Sequence, residues 1–120
     1  MNIVALVLVG LVAALHAYFL VLEMFLWTAP RTRAAFGTTA EFAEASKALA
    51  ANQGLYNGFL AAGLVYGMFA GDPVGFAMRV FFLVCVIVAG VYGAATASRR
   101  ILLVQALPGA LALAAVVIAH

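Results

Sequence analysis

Four long apolar runs divide the sequence, and the hydrophobic pattern predicts that each run is a helix. Short breaks rich in Pro, Gly and Arg separate them. At ~1.5 Å per residue, each run is long enough to cross a hydrocarbon core of ~30 Å. The pattern therefore predicts an all-α, integral membrane four-helix bundle that forms a single domain over residues 1–120, with helices over about 3–27, 39–70, 74–98 and 101–119.

The break between the first two predicted helices is the only sizeable polar region. Pro30 ends the first helix, because proline disfavours helical geometry in the residue before it. Thr38 and Glu41 have the spacing of a capping box, and no helix breaker follows before the second apolar run. We therefore expect a continuous second helix over 39–70 whose first third extends into the cytoplasm.

Composition supports the membrane assignment and excludes other classes. The chain is 68% hydrophobic and 8% charged, and its mean hydropathy is +1.21. A soluble protein of this length has too little interior to hide so much apolar surface, so the lipid bilayer is the expected partner. Six Lys and Arg residues form no dense basic stripe, which argues against nucleic acid. The single Cys85 excludes an internal disulfide and a multi-Cys metal site.

Basic residues predict the orientation. The first and third connections carry most of them, namely Arg31, Arg33, Lys47, Arg99 and Arg100. The positive-inside rule places these connections in the cytoplasm and both termini in the periplasm of a bacterial inner membrane. Arg79 lies one turn inside the third predicted helix, where we expect its side chain to extend to the membrane interface.

In this topology all four helices place polar side chains at a similar depth in the cytoplasmic half. These residues are His16, Glu23, Asn52, Gln53, Asn57, Tyr92, Thr96, Arg99 and Gln105. Ionisable residues within a membrane usually face the bundle interior or a watered cavity, and they are candidates for function. We therefore expect a polar pocket that opens to the cytoplasmic leaflet.

Glu23 and His16 are the candidate catalytic residues, because they are seven positions apart and share one helix face. They would supply acid–base chemistry or ligand polarity. Alternatively, Glu23 is only paired, with Arg99, Arg100 or His16, and His16 is only a satisfied buried histidine. No third ligand accompanies the two residues, so no metal site is expected.

The remaining candidates would bind the ligand. Asn52, Gln53, Asn57, Tyr92 and Gln105 would orient it, and Arg99 with Arg31 or Arg33 would hold an anionic group. The amides can also act only as glue between helices, at roughly 0.6 kcal/mol per hydrogen bond. Small-residue spacings on the second helix, at Gly54, Gly58, Gly63 and Gly67, allow close helix packing within the bundle or between subunits.

Three segments resemble a known family. LEMFLWTAPRTRAAFG (22–37), FAEASKALAANQGLYNGFLA (42–61) and YGAATASRRILLVQALP (92–108) closely resemble the bacterial family called domain of unknown function 1304. The resemblance covers nearly the whole chain. It implies a family but no activity.

The order of features also resembles, more distantly, the MAPEG proteins of eicosanoid and glutathione metabolism. The matching features are the basic loop after the first helix, Asn52 at the membrane entry of the second, and Gln105 early in the fourth. This resemblance implies a homotrimer that binds glutathione near the cytoplasmic face and acts as a transferase or isomerase. The chain departs from the pattern at Ala48 and Leu55, where the family has arginine and glutamate, and at Ala97, Ile101 and the added Ala106.

The leading expectation is a membrane protein that binds or transforms a small lipophilic or amphipathic ligand, with a thiol cosubstrate such as glutathione. Two alternatives remain open at this point. One is proton-coupled transport through His16 and Glu23, and the other is a non-catalytic membrane scaffold.

Overall fold

The computed structural model describes residues 1–120, and it is helical without any strand. Six α-helices and one π-helical segment follow one another along the chain. They are α1 (Ile3–Met24), α2 (Pro30–Phe36), α3 (Ala40–Ala45), α4 (Lys47–Phe69), α5 (Val74–Thr96), the π segment (Leu102–Ala106) and α6 (Leu107–Ala119). The all-helical prediction is confirmed.

Three helical stretches are long and apolar enough to cross a membrane: Ile3–Met24, Val74–Thr96 and Leu102–Ala119. This finding fits the membrane prediction. α4 has 23 residues, but it does not reach the same hydropathy because it carries Asn52, Gln53 and Asn57. The four-helix membrane bundle and its orientation therefore stay predictions.

The segment after α1 contains a helix that the sequence pattern missed. α1 ends at Met24, three residues before the expected end, and Pro30 then begins α2. Proline suits the first helical position, because its missing N–H would have no intrahelical partner there. Gly37 follows α2 with a φ of 70° and ends it in the left-handed conformation that glycine adopts without strain.

The predicted continuous helix over 39–70 is two helices, α3 and α4, which meet at Ser46. The Ser46 hydroxyl donates to the Phe42 carbonyl at 2.7 Å and accepts from Trp27 Nε1 at 3.0 Å. A serine that bonds back to the carbonyl four residues earlier often bends a helix. The N-terminal cap of α3 is Thr39, whose side-chain oxygen accepts a hydrogen bond from the Phe42 N–H. The sequence pattern had predicted Thr38 as the capping residue.

We predict that Ser46→Ala lowers the free energy of unfolding by about 0.5–1.5 kcal/mol, because the Trp27 indole N–H loses its acceptor. Trp27 is the single tryptophan, so its fluorescence reports unfolding of detergent-solubilised protein directly. Ser46→Thr keeps the hydroxyl and should retain most of the stability. Equal losses in both variants would contradict a role for the hydrogen bond.

The chain forms two compact units, and α1 and α4 contribute a segment to each. The larger unit comprises Met1–Ala14 and Leu60–His120, and the smaller comprises Leu15–Phe59. The larger unit contains an apolar core, whose buried members are Ala5, Val9, Val12, Ala13, Leu64, Leu83, Val86, Ala112 and Val116. This core brings segments of α1, α4, α5 and α6 together.

The start of α6 in the larger unit is widened into the π segment. In a regular α-helix the ring of Pro108 would clash with the carbonyl four residues earlier, at Val104. The Leu107 N–H instead reaches back five residues to the Leu102 carbonyl. Gly90 of α5 packs against this widened turn, because a Cβ there would lie 2.7 Å from the Ala106 nitrogen.

Arg79 differs from its prediction. Its side chain does not extend outward: the residue is 4% exposed, and its Nη1 donates to the Gly67 carbonyl at 2.7 Å. Gly67 lies near the end of α4, where carbonyls lack intrahelical partners. The guanidinium therefore supplies a hydrogen-bond donor to a carbonyl at the C-terminal end of α4.

Candidate functional site

Close packing between α1 and α4 positions the candidate site of the smaller unit. A Cβ on Gly54 would lie 2.7 Å from Met24 Cγ and 3.2 Å from the Leu20 carbonyl oxygen. One turn later, a Cβ on Gly58 would lie 2.6 Å from Leu20 Cδ1. Because both glycines lack a side chain, the two helices approach closely enough for short polar side chains to meet.

Glu23 and Asn57 meet at this packing surface. Asn57 Nδ2 donates to Glu23 Oε1 at 2.6 Å, and the two residues are 34 positions apart in the chain. Asn57 is buried, with 6% of its surface exposed, whereas Glu23 is partly buried. This hydrogen bond joins α1 to α4 within the smaller unit. The sequence singled out both residues, but it named Arg99, Arg100 or His16 as the partner of Glu23.

His16 lies two turns earlier on α1 and is completely buried. Its ring packs edge to face against Phe19, with ring centroids 5.4 Å apart. The predicted proton partnership of His16 with Glu23 stays a prediction.

The other polar residues of the smaller unit are placed less deeply. Asn52 and Gln53 are exposed on α4, about one turn before Asn57. Arg31 is exposed on α2. Arg33 is partly buried, and its Nε donates to the Thr28 carbonyl at 3.1 Å, so this arginine closes the turn before α2. Within this unit, Asn52, Gln53 and Arg31 are thus the predicted ligand-binding residues with accessible side chains.

Tyr92, Arg99 and Gln105 belong to the larger unit. Tyr92 is 71% exposed near the end of α5, and Arg99 is exposed in the connection that follows. Gln105 is partly buried in the π segment. A common pocket for the polar residues of all four predicted helices therefore stays a prediction.

The sequence pattern missed one polar contact of the smaller unit. The indole N–H of Trp27 donates to the Ser46 hydroxyl, and its ring packs edge to face against Phe36, with ring centroids 5.0 Å apart. These contacts tie the segment after α1 to α2 and to the α3–α4 bend. A single tryptophan beside a polar loop was the available signal, but its partner 19 residues away was not visible.

Sequence comparison assigns the family. The family described as a protein of unknown function, DUF1304, matches residues 10–117. The chain belongs to this family. The uncharacterised protein YpaA of Lactococcus lactis subsp. lactis (strain IL1403) is 33% identical over 119 residues, which cover 98% of this chain and 97% of that protein. No solved structure matches the chain. The matched range includes Glu23 and Asn57.

Proposed function

We propose that this DUF1304 protein is a small integral membrane protein that binds a small lipophilic or amphipathic ligand at Glu23 and Asn57. The observation that carries the proposal is the 2.6 Å hydrogen bond between these side chains. Glu23 lies at the end of a helix long and apolar enough to cross a membrane. Carboxylates in such helices are costly, and they commonly mark binding sites and proton pathways.

A purely structural role explains the pair less well. Replacing a buried polar pair by apolar residues of similar volume is often neutral or stabilising. Gly54 and Gly58 already let α1 and α4 pack closely, so a carboxylate is not needed to join them. A scaffold would keep its packing with leucine at these positions. A ligand-binding protein needs the polar atoms.

Neighbouring residues of the same unit extend the proposed site. Asn52 and Gln53 are exposed on α4 and would hydrogen-bond the polar part of a ligand. The exposed guanidinium of Arg31 would hold an anionic group. The Glu23 carboxylate would accept a proton from a bound substrate, while Asn57 holds it in one orientation.

The proposal includes a four-helix topology with α4 as the fourth membrane helix. Its 23 residues reach about 34 Å at ~1.5 Å per residue, which exceeds a hydrocarbon core of ~30 Å. The buried amide of Asn57 is paired, so it adds less to the cost of insertion. Basic residues then favour both termini outside the cytoplasm of a bacterial inner membrane. A MAPEG-like homotrimer and a glutathione cosubstrate are the finer parts of this proposal, and Ala48 and Leu55 weigh against glutathione.

The first test measures binding of N-phenyl-1-naphthylamine, a neutral lipophilic probe with an N–H donor, to protein in nanodiscs. Empty nanodiscs provide the background. We predict that Glu23→Gln weakens probe affinity about tenfold, because the charge-assisted hydrogen bond from the probe is lost. Glu41→Gln makes the same charge change on exposed α3 and should leave affinity unchanged.

Glutathione is titrated in a parallel calorimetric experiment. Glutathione binding that is lost when Arg31 or Asn52 is replaced would support the thiol cosubstrate. Absence of glutathione binding would exclude glutathione from the proposal and leave the probe result unchanged. Equal probe affinities for the parent, Glu23→Gln and Glu41→Gln would contradict the proposed function. Proton flux in liposomes that disappears in Glu23→Gln would assign the pair to transport instead.

A further inference from the structure

The larger unit contains a cavity of about 200 Å³ at the end where the first residues of the chain, the α4–α5 turn and the last turn of α6 meet. Three polar side chains line it together with apolar groups. The lining residues are Met1, Asp72, Arg79, Val116, Ala119 and His120. No residue of the Glu23–Asn57 site is among them, so this cavity is a separate feature.

Arg79 is built into this end of the unit. A Cβ on Gly67 would lie 2.9 Å from Arg79 Cγ, and one on Gly75 would lie 3.0 Å from Arg79 Nη1. Two glycines thus make the space that the buried arginine fills. The Nη1 donor is used by the Gly67 carbonyl, but the buried Nε has no partner. Part of the hydrogen-bonding capacity of this guanidinium is therefore unused.

Asp72 is the nearest opposite charge. Its Oδ1 lies 3.4 Å from Arg79 Nη2, longer than the ~2.7–2.9 Å of a close charge-assisted hydrogen bond. The same oxygen accepts from the Phe76 N–H at 3.0 Å and so caps α5. The Asp72 side chain remains 49% exposed. The cavity is therefore lined by an ion pair whose carboxylate remains about half exposed.

Apolar side chains close in sequence to the cavity-lining residues are among the most exposed in the chain. Ile118 is 83% exposed, Phe69 81% and Ile3 75%. Each lies within three residues of a cavity-lining residue, and all three belong to the same unit. In a bilayer these side chains face hydrocarbon, so a lipid could place its headgroup in the cavity while its acyl chains remain in the membrane.

We propose that this cavity binds a lipid whose headgroup carries both a phosphate and a primary ammonium, as in phosphatidylethanolamine. The phosphate contacts Arg79, the ammonium donates to Asp72, and the acyl chains lie along Ile118, Phe69 and Ile3. Arginine recognises phosphate through several N–H groups, and a primary ammonium supplies N–H donors for a carboxylate. The proposal is independent of the function assigned to Glu23 and Asn57.

Delipidated full-length protein is titrated with short-chain phosphatidylethanolamine, phosphatidylcholine and phosphatidylglycerol, and the bound lipid is counted by native mass spectrometry. We expect phosphatidylethanolamine to bind about tenfold more tightly than the other two, which corresponds to roughly one charge-assisted hydrogen bond. Phosphatidylcholine has the same charges but no ammonium N–H. Phosphatidylglycerol lacks the cation.

Asp72→Asn is the decisive variant, because asparagine keeps the α5 cap and removes only the charge. It should weaken phosphatidylethanolamine about tenfold without weakening phosphatidylglycerol, so that the preference disappears. Glu41→Gln removes a carboxylate from the other unit and should keep the preference. An unchanged preference in Asp72→Asn, or no preference in the parent, would overturn the proposal.

Free phosphoethanolamine is the last arm of the experiment. If the lipid is the occupant, millimolar phosphoethanolamine should displace phosphatidylethanolamine poorly, because it lacks the acyl chains. Displacement at concentrations similar to those of the lipid would contradict the lipid assignment and identify a soluble zwitterion as the ligand.

Discussion

Replacing Asn57 with leucine is expected to lower the free energy of unfolding by about 1–3 kcal/mol, because the Glu23 carboxylate then loses the amide that contacts it at 2.6 Å. Leucine keeps the γ-branched shape of asparagine, so the loss reports the polar contact more than the packing. Glu23→Met should cost a similar amount, since the buried Asn57 amide then loses its acceptor. Denaturant unfolding in detergent micelles measures both changes.

The double variant Glu23→Met/Asn57→Leu completes the cycle. We expect it to be more stable than the sum of the single losses predicts, with a coupling of about 0.5–3 kcal/mol, because no unpaired polar group remains. Glu41→Gln serves as the control for a carboxylate removed from an exposed helix and should change stability little. Single losses that add without coupling would contradict a direct interaction between Glu23 and Asn57.

The same double-mutant cycle distinguishes a binding site from a pair that only holds two helices together. If the pair only joined α1 and α4, the substitutions would change stability alone, and probe affinity would be the same in the parent and in the variants. A site retained for function should instead lose probe binding while its stability is preserved or increased, as is common where polar groups serve activity. Stability and N-phenyl-1-naphthylamine affinity, measured on the same four proteins, therefore distinguish the two roles.

Features that depend on local sequence were predicted, whereas features that depend on contacts between residues far apart in the chain were not. Hydropathy over long runs was enough to locate α1 and α5 to within three residues, because a membrane-length apolar run needs no tertiary information. The bend at Ser46 was missed, because it involves a bond from Trp27, 19 residues away. α2 was missed for another reason: Pro30 was interpreted only as a stop, although proline also starts helices.

The candidate site shows the same limit. Glu23 and Asn57 were both predictable, because polar groups in apolar helices need partners. Their pairing was not, since it depends on how α1 and α4 are rotated about their axes where Gly54 brings them together. The role of Arg79 also depended on packing: snorkelling suits an isolated helix, whereas the space beside Gly67 and Gly75 allows the side chain to be buried.

The second large effect is expected at Gly90, where α5 packs against the π segment. A Cβ at Gly90 would lie 2.7 Å from the Ala106 nitrogen and 2.9 Å from the α-carbon of the same residue. Backbone atoms cannot rotate away as a side chain can, so Gly90→Ala should force α5 and the π segment apart. Overpacking of this kind typically costs about 1–3 kcal/mol.

Gly10→Ala is the matched control for Gly90→Ala, because it places the same methyl group inside a helix of the same unit. There the nearest atom is Met68 Cε at 3.5 Å, an ordinary contact. Alanine exceeds glycine in helix propensity by about 0.8–1.0 kcal/mol, which offsets part of the strain at Gly90 and acts alone at Gly10. We therefore expect opposite signs: Gly90→Ala lowers the midpoint of thermal unfolding in detergent, and Gly10→Ala raises it. If both variants raise the midpoint, α5 does not pack closely on the widened turn that Pro108 imposes.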